Sequence, residues 1–302
     1  MTVQRILIVS GTHGNEINPV WAVKQFFNRQ ENRLIHGIEY EYIIGNPVAY
    51  EKGYRYIDVD LNRSFKEIKN YEQENNSFYE INRANFLVDQ FGIHGSKPCQ
   101  IAIDLHTTTA NMGTSIVLYG RRFKDFCLAS LLQNKFGLPI YLHEKDKAQS
   151  GFLVEAWPCG LVIEIGAVAQ NFYDPKIIDR FLIIIRSLRE EIDKLKNNLI
   201  ELPKELVVHV HQGSIDYPRD DKGFIDGLIH PERINQDWKF IKKGDPLFLD
   251  SQGIIHKYDG EQLIWPVFIG EVAYKEKKIA MSYTKKEVIS SNNQWVFEFE
   301  SL

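Results

Sequence analysis

The amino-acid sequence predicts an α/β fold, a sheet flanked by helices, with a smaller, mainly β unit after it. In the first half, short apolar runs alternate with amphipathic stretches, as the strands and helices of an α/β protein do. Beyond Pro203 the chain changes to short alternating segments punctuated by Gly, Asp and Pro, the pattern of small strands joined by turns. The histidines and glutamates that stand out from the apolar background fall at or just beyond predicted strand ends, where open α/β sheets place ligands.

Taken in order, Arg5 to Val9 reads as a buried strand, and the turn Gly11 to Asn15 leads into a helix from about Pro19 to Asn28. Tyr40 to Ile44, Ile101 to Leu105, Val117 to Tyr119 and Leu161 to Ile165 read as further strands. A helix from about Pro175 to Asn197 is signalled by Ile177, Ile178, Phe181, Leu182, Ile185, Leu188 and Ile192 with charges between them. Glu205 to Val210, Pro246 to Leu249 and Leu263 to Ile269 read as strands of the second unit, which divides the chain into residues 1–202 and 203–302.

Composition bounds the function. A chain of 302 residues can bury a sizeable core, and 44% hydrophobic with 25% charged residues is ordinary for a globular protein. A net charge of −4 provides no global basic surface for nucleic acid and leaves room for a local positive pocket around a small anion. The apolar run Phe181 to Ile185 falls far short of the roughly 20 residues that span a bilayer. The N-terminal residues read as a strand, not a signal peptide, so a cytoplasmic protein without a membrane or nucleic-acid partner is expected. Cys99, Cys127 and Cys159 are widely spaced and read as reduced thiols.

The chemistry centres on His13, Glu16 and His106. Two imidazoles and a carboxylate fill three positions of a zinc site and leave the fourth for water, as catalytic zinc requires. His13 and Glu16 lie three apart, and Gly14 between them allows a tight or left-handed backbone that turns both toward one ion. His106 ends an apolar strand. Asp104 shares its face and is either the outer partner of a metal-bound imidazole or an ordinary strand-end aspartate. Residues 54–65 hold Arg55, Asp58, Asp60, Asn62 and Arg63, which suits either a clamp for an acidic substrate or a solvated loop with internal ion pairs. Glu164, among Val162, Ile163 and Ile165, needs a partner such as a metal-activated water or an arginine to stay ionised.

These motifs together carry a family resemblance. Gly11-Thr12-His13-Gly14-Asn15-Glu16, Asp60-Leu61-Asn62-Arg63, Asp104-Leu105-His106-Thr107-Thr108, Asn111-Met112-Gly113 and Ile163-Glu164-Ile165-Gly166 are similar to the aspartoacylase and succinylglutamate desuccinylase family of the zinc carboxypeptidase-like superfamily. The similarity continues through Asp216 to Asp220, Ile229-His230-Pro231, Gln236-Asp237-Trp238, Gly244-Asp245-Pro246, Pro266 to Ile269, Glu271 and Ala273-Tyr274. It implies a carboxypeptidase-like mixed twisted sheet flanked by helices, with a mainly β C-terminal domain that shapes the active-site entrance. It also implies one zinc ion per chain on His13, Glu16 and His106. Glu164 would be the general base, Arg55 would polarise the scissile carbonyl, and Asn62, Arg63 and Tyr274 would hold substrate. The implied reaction is hydrolysis of an N-acyl amino acid, with N-acetyl-L-aspartate giving acetate and L-aspartate as the leading case. The resemblance is compatible with a homo-oligomer.

The sequence departs from the family at one informative place. No arginine occurs between Arg122 and Arg180, where the family has one that recognises the acidic side chain. Lys145 or Lys147 could supply a point charge there, Glu155 would repel an anion, and Lys278 could add charge near Tyr274 or be a surface lysine. Thr107 stands where close family members have asparagine. The alternatives are therefore an aminoacylase for neutral or aromatic amino acids, or a non-catalytic zinc-binding protein of the same fold. His209 and His211, two apart on one strand, read as a surface pair without a third ligand, and His230 before Pro231 as a turn residue.

Overall fold

The structure is a computed structural model that describes residues 4–28, 34–35, 38–66, 78–144, 149–197 and 199–302. Its elements in chain order are β1 (Gln4–Ser10), α1 (Ile17–Phe27), β2 (Leu34–Ile35), β3 (Ile38–Ile44), α2 (Pro47–Lys52) and α3 (Tyr79–Phe91). There follow β4 (Ile101–Thr107), β5 (Thr114–Tyr119), α4 (Phe123–Phe136), β6 (Ile140–His143), β7 (Cys159–Ile165) and α5 (Pro175–Lys196). The last third holds β8 (Glu205–Ile215), β9 (Gly227–Ile229), β10 (Pro246–Asp250), β11 (Ile255–Lys257), β12 (Trp265–Val267), β13 (Met281–Ser290) and α6 (Asn293–Glu300).

Ten strands form one mixed sheet in the order β12-β13-β8-β6-β5-β7-β4-β1-β3-β2. The centre, β7-β4-β1-β3, is parallel, and β5 runs antiparallel to β7. Beyond residue 203, β8 continues this sheet beside β6, and β13 and β12 extend it. The separate three-stranded sheet β11-β10-β9 is backed by Ile241, Leu247, Phe248, Ile264 and Met281.

Strand periodicity assigns each residue to a face. Ile6 and Ile8, Ile101, Ile103 and Leu105, and Leu161, Ile163 and Ile165 all pack into the core covered by α1, α4, α5 and α6. The alternate residues, Leu7, Val9, Ala102 and Val162, face a second core with Leu61, Leu87, Trp157 and Phe268. Asp104, His106 and Glu164 share that second face by the same count of two, so the candidate residues lie opposite the main helical layer.

Several expected elements differ in extent. Helix α1 begins at Ile17, before Pro19, because a proline in the first turn lacks only an N–H that has no helical partner. The strand expected over 263–269 is limited to Trp265–Val267, since Phe268 has φ 55° and Gly270 φ 67°, which end the extended run. Helix α4 has no clear apolar stripe: Asp125 to Leu132 are all buried between the sheet and helices α5 and α6. All three cysteines are buried free thiols. No helix among the described residues is long and apolar enough to cross a membrane.

Helix α6 returns the chain end to α4 through Trp295, 1% exposed, whose ring lies 5.3 Å from that of Phe126. Replacing this ring leaves a cavity that the packed helices cannot close. Trp295→Ala is expected to lower the unfolding free energy by about 3–5 kcal/mol in denaturant titration.

Candidate metal centre and active site

The turn after β1 brings His13 to the sheet edge. Gly11 takes the left-handed conformation, φ 66°, while Gly14 does not. Gly14 serves close approach instead: a Cβ there would lie 2.2 Å from the Ala49 carbonyl carbon, and its N–H donates to the Arg55 carbonyl at 3.1 Å. Of the two expected uses of Gly14, a tight or a left-handed backbone, the structure has the tight one, because α2 packs directly against this turn.

Residues 54–65 are not a solvated loop. Glu80 on α3, fully buried, accepts from Ile57 N at 2.6 Å, Asp58 N at 3.0 Å, Val59 N at 3.2 Å and Asn46 Nδ2 at 2.9 Å. Four donors on one carboxylate fix the backbone that carries Arg55 and Asp60. Asp60 then accepts from Asn62 N at 2.9 Å to start the single turn Leu61–Arg63.

His13, Glu16 and His106 come together as expected, with one candidate ligand atom from each within 4.8 Å of the others. His13 Nδ1 lies 2.7 Å from Glu16 Oε1, His106 Nδ1 3.0 Å from Glu16 Oε2, and the two Nδ1 atoms 3.1 Å apart. Each far ring nitrogen has a carboxylate: His106 Nε2 is 2.7 Å from Asp104 Oδ2, and His13 Nε2 3.1 Å from Asp60 Oδ1. Thr12 Oγ1 donates to Asp104 Oδ1 at 2.7 Å and fixes that carboxylate. Carboxylate-held imidazoles turning their other nitrogens and a glutamate toward one point fit a zinc ion. Asp104 is therefore an outer partner of His106. Arg55 Nη2, which can only donate, lies 2.8 Å from His13 Nε2, so the His13 tautomer sets whether Nε2 accepts from Arg55 or donates to Asp60.

The electrostatics follow from burial and pairing. Burial opposes the charge on Glu16, but His13 and His106 outweigh it and hold its pKa well below the carboxylate range. Burial likewise opposes a charged His106, and Asp104 and Glu16 raise its pKa above the usual value. Arg55 is raised against the effect of burial by Asp60 and Glu16, whose oxygens lie 3.4 and 3.5 Å away. Glu164 goes the other way. Burial raises it to about 8, His106 and Arg55 lower it, and Glu16 and Glu271 add to the rise. Its Oε2 is buried without a hydrogen-bond partner among the described residues. In the sheet His106 pairs directly with Glu164, so this residue adjoins the candidate metal-binding cluster.

A small cavity of about 40 Å³ opens here, lined by His13, Glu16, Arg55, Asn62, Arg63, Glu164 and Tyr274, with His106 buried. Asn62 is held by Leu153 N, which donates to its Oδ1 at 2.8 Å. The Arg63 guanidinium stacks 4.0 Å from the centre of the Phe152 ring, which itself stacks on Tyr119 at 3.7 Å. Arg63 donates to Asn62 O at 2.7 Å and to Gln149 Oε1 at 3.3 Å and has no carboxylate partner among the described residues. Tyr274 packs on Phe268 at 5.4 Å, and burial raises its hydroxyl pKa.

Sequence reasoning gave no role to Glu271, Tyr119, Phe152 or Thr108, all of which line the cavity. Glu271 Oε2 accepts from Thr108 Oγ1, from Thr109 N at 2.8 Å and from Thr109 Oγ1 at 3.0 Å, while Oε1 accepts from Ala273 N at 3.0 Å. It ties the loop after His106 to the turn that carries Tyr274. Its place between Phe268 and Tyr274 in a matched motif was the available signal.

Other expectations change. Glu155 does not face the cavity; its carboxylate accepts from Gly151 N at 3.0 Å and Phe152 N at 2.9 Å. Lys278 is exposed, with φ 57° at the end of its turn. Lys145 and Lys147 lie outside the described residues. At Thr107 it is the backbone N–H that matters, donating to Glu16 Oε2 at 2.9 Å. His209 is not at the surface but buried against Trp238 and Trp265, and burial lowers its pKa to about 4. His230 caps its turn by accepting from Glu232 N at 3.3 Å.

Removing either imidazole with His13→Ala or His106→Ala is expected to abolish metal retention, measured as metal per chain after dialysis. Asp104→Ala leaves the ligands and loses one orienting partner, so metal affinity in a chelator competition is expected to fall about 10- to 100-fold.

The sequence matches the succinylglutamate desuccinylase/aspartoacylase catalytic domain over residues 2–192 and the AstE/AspA barrel-sandwich hybrid domain over residues 204–286. It is 89% identical to a protein called probable aspartoacylase from Prochlorococcus marinus strain AS9601, over all 302 residues and the whole of both chains. Its structure is similar to that of murine aminoacylase 3, with TM-score 0.88, 27% identity and coverage of 96% of this chain and 97% of that one. A succinylglutamate desuccinylase from Vibrio cholerae shares the fold, with TM-score 0.62, 16% identity and coverage of 96% and 85%. A site of His13, Glu16 and His106 beside Glu164 and Arg55 therefore stands in a chain that belongs to the succinylglutamate desuccinylase/aspartoacylase family and acts as an amidohydrolase of N-acyl amino acids.

Proposed function

We propose that this protein is a zinc-dependent hydrolase that cleaves N-acetyl-L-aspartate to acetate and L-aspartate. The observation that carries the reading is Glu164, whose Oε2 is buried and without a hydrogen-bond partner among the described residues, next to the His13, Glu16 and His106 cluster in the sheet. One zinc ion per chain, held by those three residues, would supply Lewis acidity and lower the pKa of water from about 16 to about 7.

The residues of the chain supply the rest. Glu164 takes a proton from water as the water oxygen bonds to the acyl carbon, and its raised pKa makes it a better base than an ordinary glutamate. Arg55, fixed by Asp60 and Glu16, sets a positive charge where the carbonyl oxygen becomes negative. The carbon–nitrogen bond then breaks, and Glu164 returns the proton to the leaving amine. Asn62, Arg63 and Tyr274 hold the amino acid, with the Arg63 fork suited to its carboxylate. The region after residue 203 brings Phe268, Glu271 and Tyr274 to the rim and so shapes the entrance.

A second reading, an aminoacylase for neutral or aromatic amino acids, is favoured by the stacked Phe152 and Tyr119 in the cavity wall. Free-amine release from a panel of N-acetyl amino acids by zinc-loaded protein separates the two. N-acetyl-L-aspartate is expected to rank first, and a preference for N-acetyl-L-phenylalanine would replace the first reading with the second.

Glu164→Gln is expected to abolish turnover while zinc content stays near that of the parent; parallel loss of metal would reassign Glu164 as a ligand. Arg55→Ala is expected to lower kcat by about 100- to 1,000-fold, the scale seen when one oxyanion donor is lost. A general base works ionised, so kcat/KM rises with pH through the pKa of Glu164. The charge of zinc draws that pKa down from about 8 toward the ordinary 4.5, and the acid limb is expected between those values.

A further inference from the structure

Asn62 and Arg63 sit on one short turn, and the stretch 151–157 packs behind them. Its start is closed by Phe65 N, which donates to Gly151 O at 3.2 Å, and by the Glu155 carboxylate, which accepts from Gly151 N and Phe152 N. Arg122 closes its far end by donating to Val154 O at 3.3 Å and Trp157 O at 2.7 Å. The Trp157 indole adds a bond to Phe91 O at 2.9 Å. Tied at both ends, the stretch is a fixed platform.

Two groups on this platform reach the residues that line the cavity. Leu153 N donates to Asn62 Oδ1 at 2.8 Å. The Phe152 ring, 4% exposed, lies under the Arg63 guanidinium at 4.0 Å and is itself wedged by Tyr119, stacked at 3.7 Å, and by the His143 ring at 5.5 Å. An aromatic face attracts a cation laid over it, so the ring is a seat for this guanidinium. Arg63 donates to Asn62 O and Gln149 Oε1, and with five N–H groups in its fork it keeps donors for a ligand in the cavity.

We propose that Phe152 is a positioning residue that acts through Arg63, ordering its guanidinium before the α-carboxylate of the substrate arrives. A free arginine side chain gives up rotamer freedom when it closes on a ligand, whereas one already seated on a ring has given it up beforehand. The assignment rests on the reading of the chain as an N-acyl amino acid hydrolase with Arg63 on the α-carboxylate. Every N-acyl amino acid carries that group, so the role does not depend on which side chain is preferred. The chemical step belongs to Glu164 and Arg55, and loss of the seat therefore falls on binding.

The test uses zinc-loaded protein and the N-acetyl amino acid that it cleaves best, N-acetyl-L-aspartate on the first reading. Phe152→Leu is expected to raise KM about 3- to 10-fold, the scale of ordering one long side chain, with kcat within about twofold of the parent. The same compound without its α-carboxylate, N-acetyl-β-alanine for the aspartate derivative, serves as a competitor. Its inhibition constant is expected to be equal in the parent and in Phe152→Leu. Mono-, di- and trifluorophenylalanine at position 152 keep the shape of the ring and withdraw charge from its face. KM is expected to rise stepwise along that series, which packing alone does not produce. A KM unchanged in Phe152→Leu, an inhibition constant that rises in step with KM, or a KM indifferent to fluorination overturns the assignment. Failure of the parent to hydrolyse any N-acetyl amino acid overturns the functional reading beneath it instead.

Discussion

The register between β4 and β7 is the constraint on which the site depends. Parallel pairing sets His106 beside Glu164 and Asp104 beside Val162, with neighbouring strands about 4.8 Å apart. Side chains alternate between the faces, so a slip of one residue would bury His106 under the helices and send Ile163 or Ile165 to the cavity. The apolar residues on the helical face, Ile101, Ile103, Leu105, Leu161, Ile163 and Ile165, forbid that slip. The hydrophobic core thus fixes the distance between a metal-ligand candidate and the proposed base without touching either.

Around that pair the structure divides charged groups into two kinds. Glu16, Asp60, Asp104, Arg55 and both imidazoles each face an opposite charge or a polar partner at short range. Pairing holds Glu16, Asp60 and Arg55 charged against the effect of burial and orients the two imidazoles. Glu164 Oε2 has no hydrogen-bond partner, and Arg63 no carboxylate partner, among the described residues. In the proposed reaction these are the groups that meet water and substrate.

The C-terminal third completes the cavity by a polar joint. Glu271 binds the loop that follows His106 and at the same time starts the turn bearing Tyr274. Trp238 adds a second tie by donating from its indole to Met112 O at 2.9 Å. These bonds couple the position of the substrate-holding turn to the loop beside the metal centre.

Much of this was legible in the sequence. The strands around β1, β4 and β7 follow from apolar runs, and their polar ends single out His13, Glu16, His106 and Glu164 before any contact is known. The Asp60-Leu61-Asn62-Arg63 motif and Arg55 are visible as an unusual concentration of charge and hydrogen-bonding groups. Helix α4 was not, because burial on all sides removes the amphipathic period by which a helix is read. What the sequence determined by itself was the set of reactive groups and the strands that carry them, since side-chain chemistry and hydrophobic period are local properties. Tertiary structure alone decided that Asp60 orients His13 and that Glu80 fixes the Arg55 segment. Those are relations between residues far apart in the chain, and only packing and the desolvation it brings determine which charges meet.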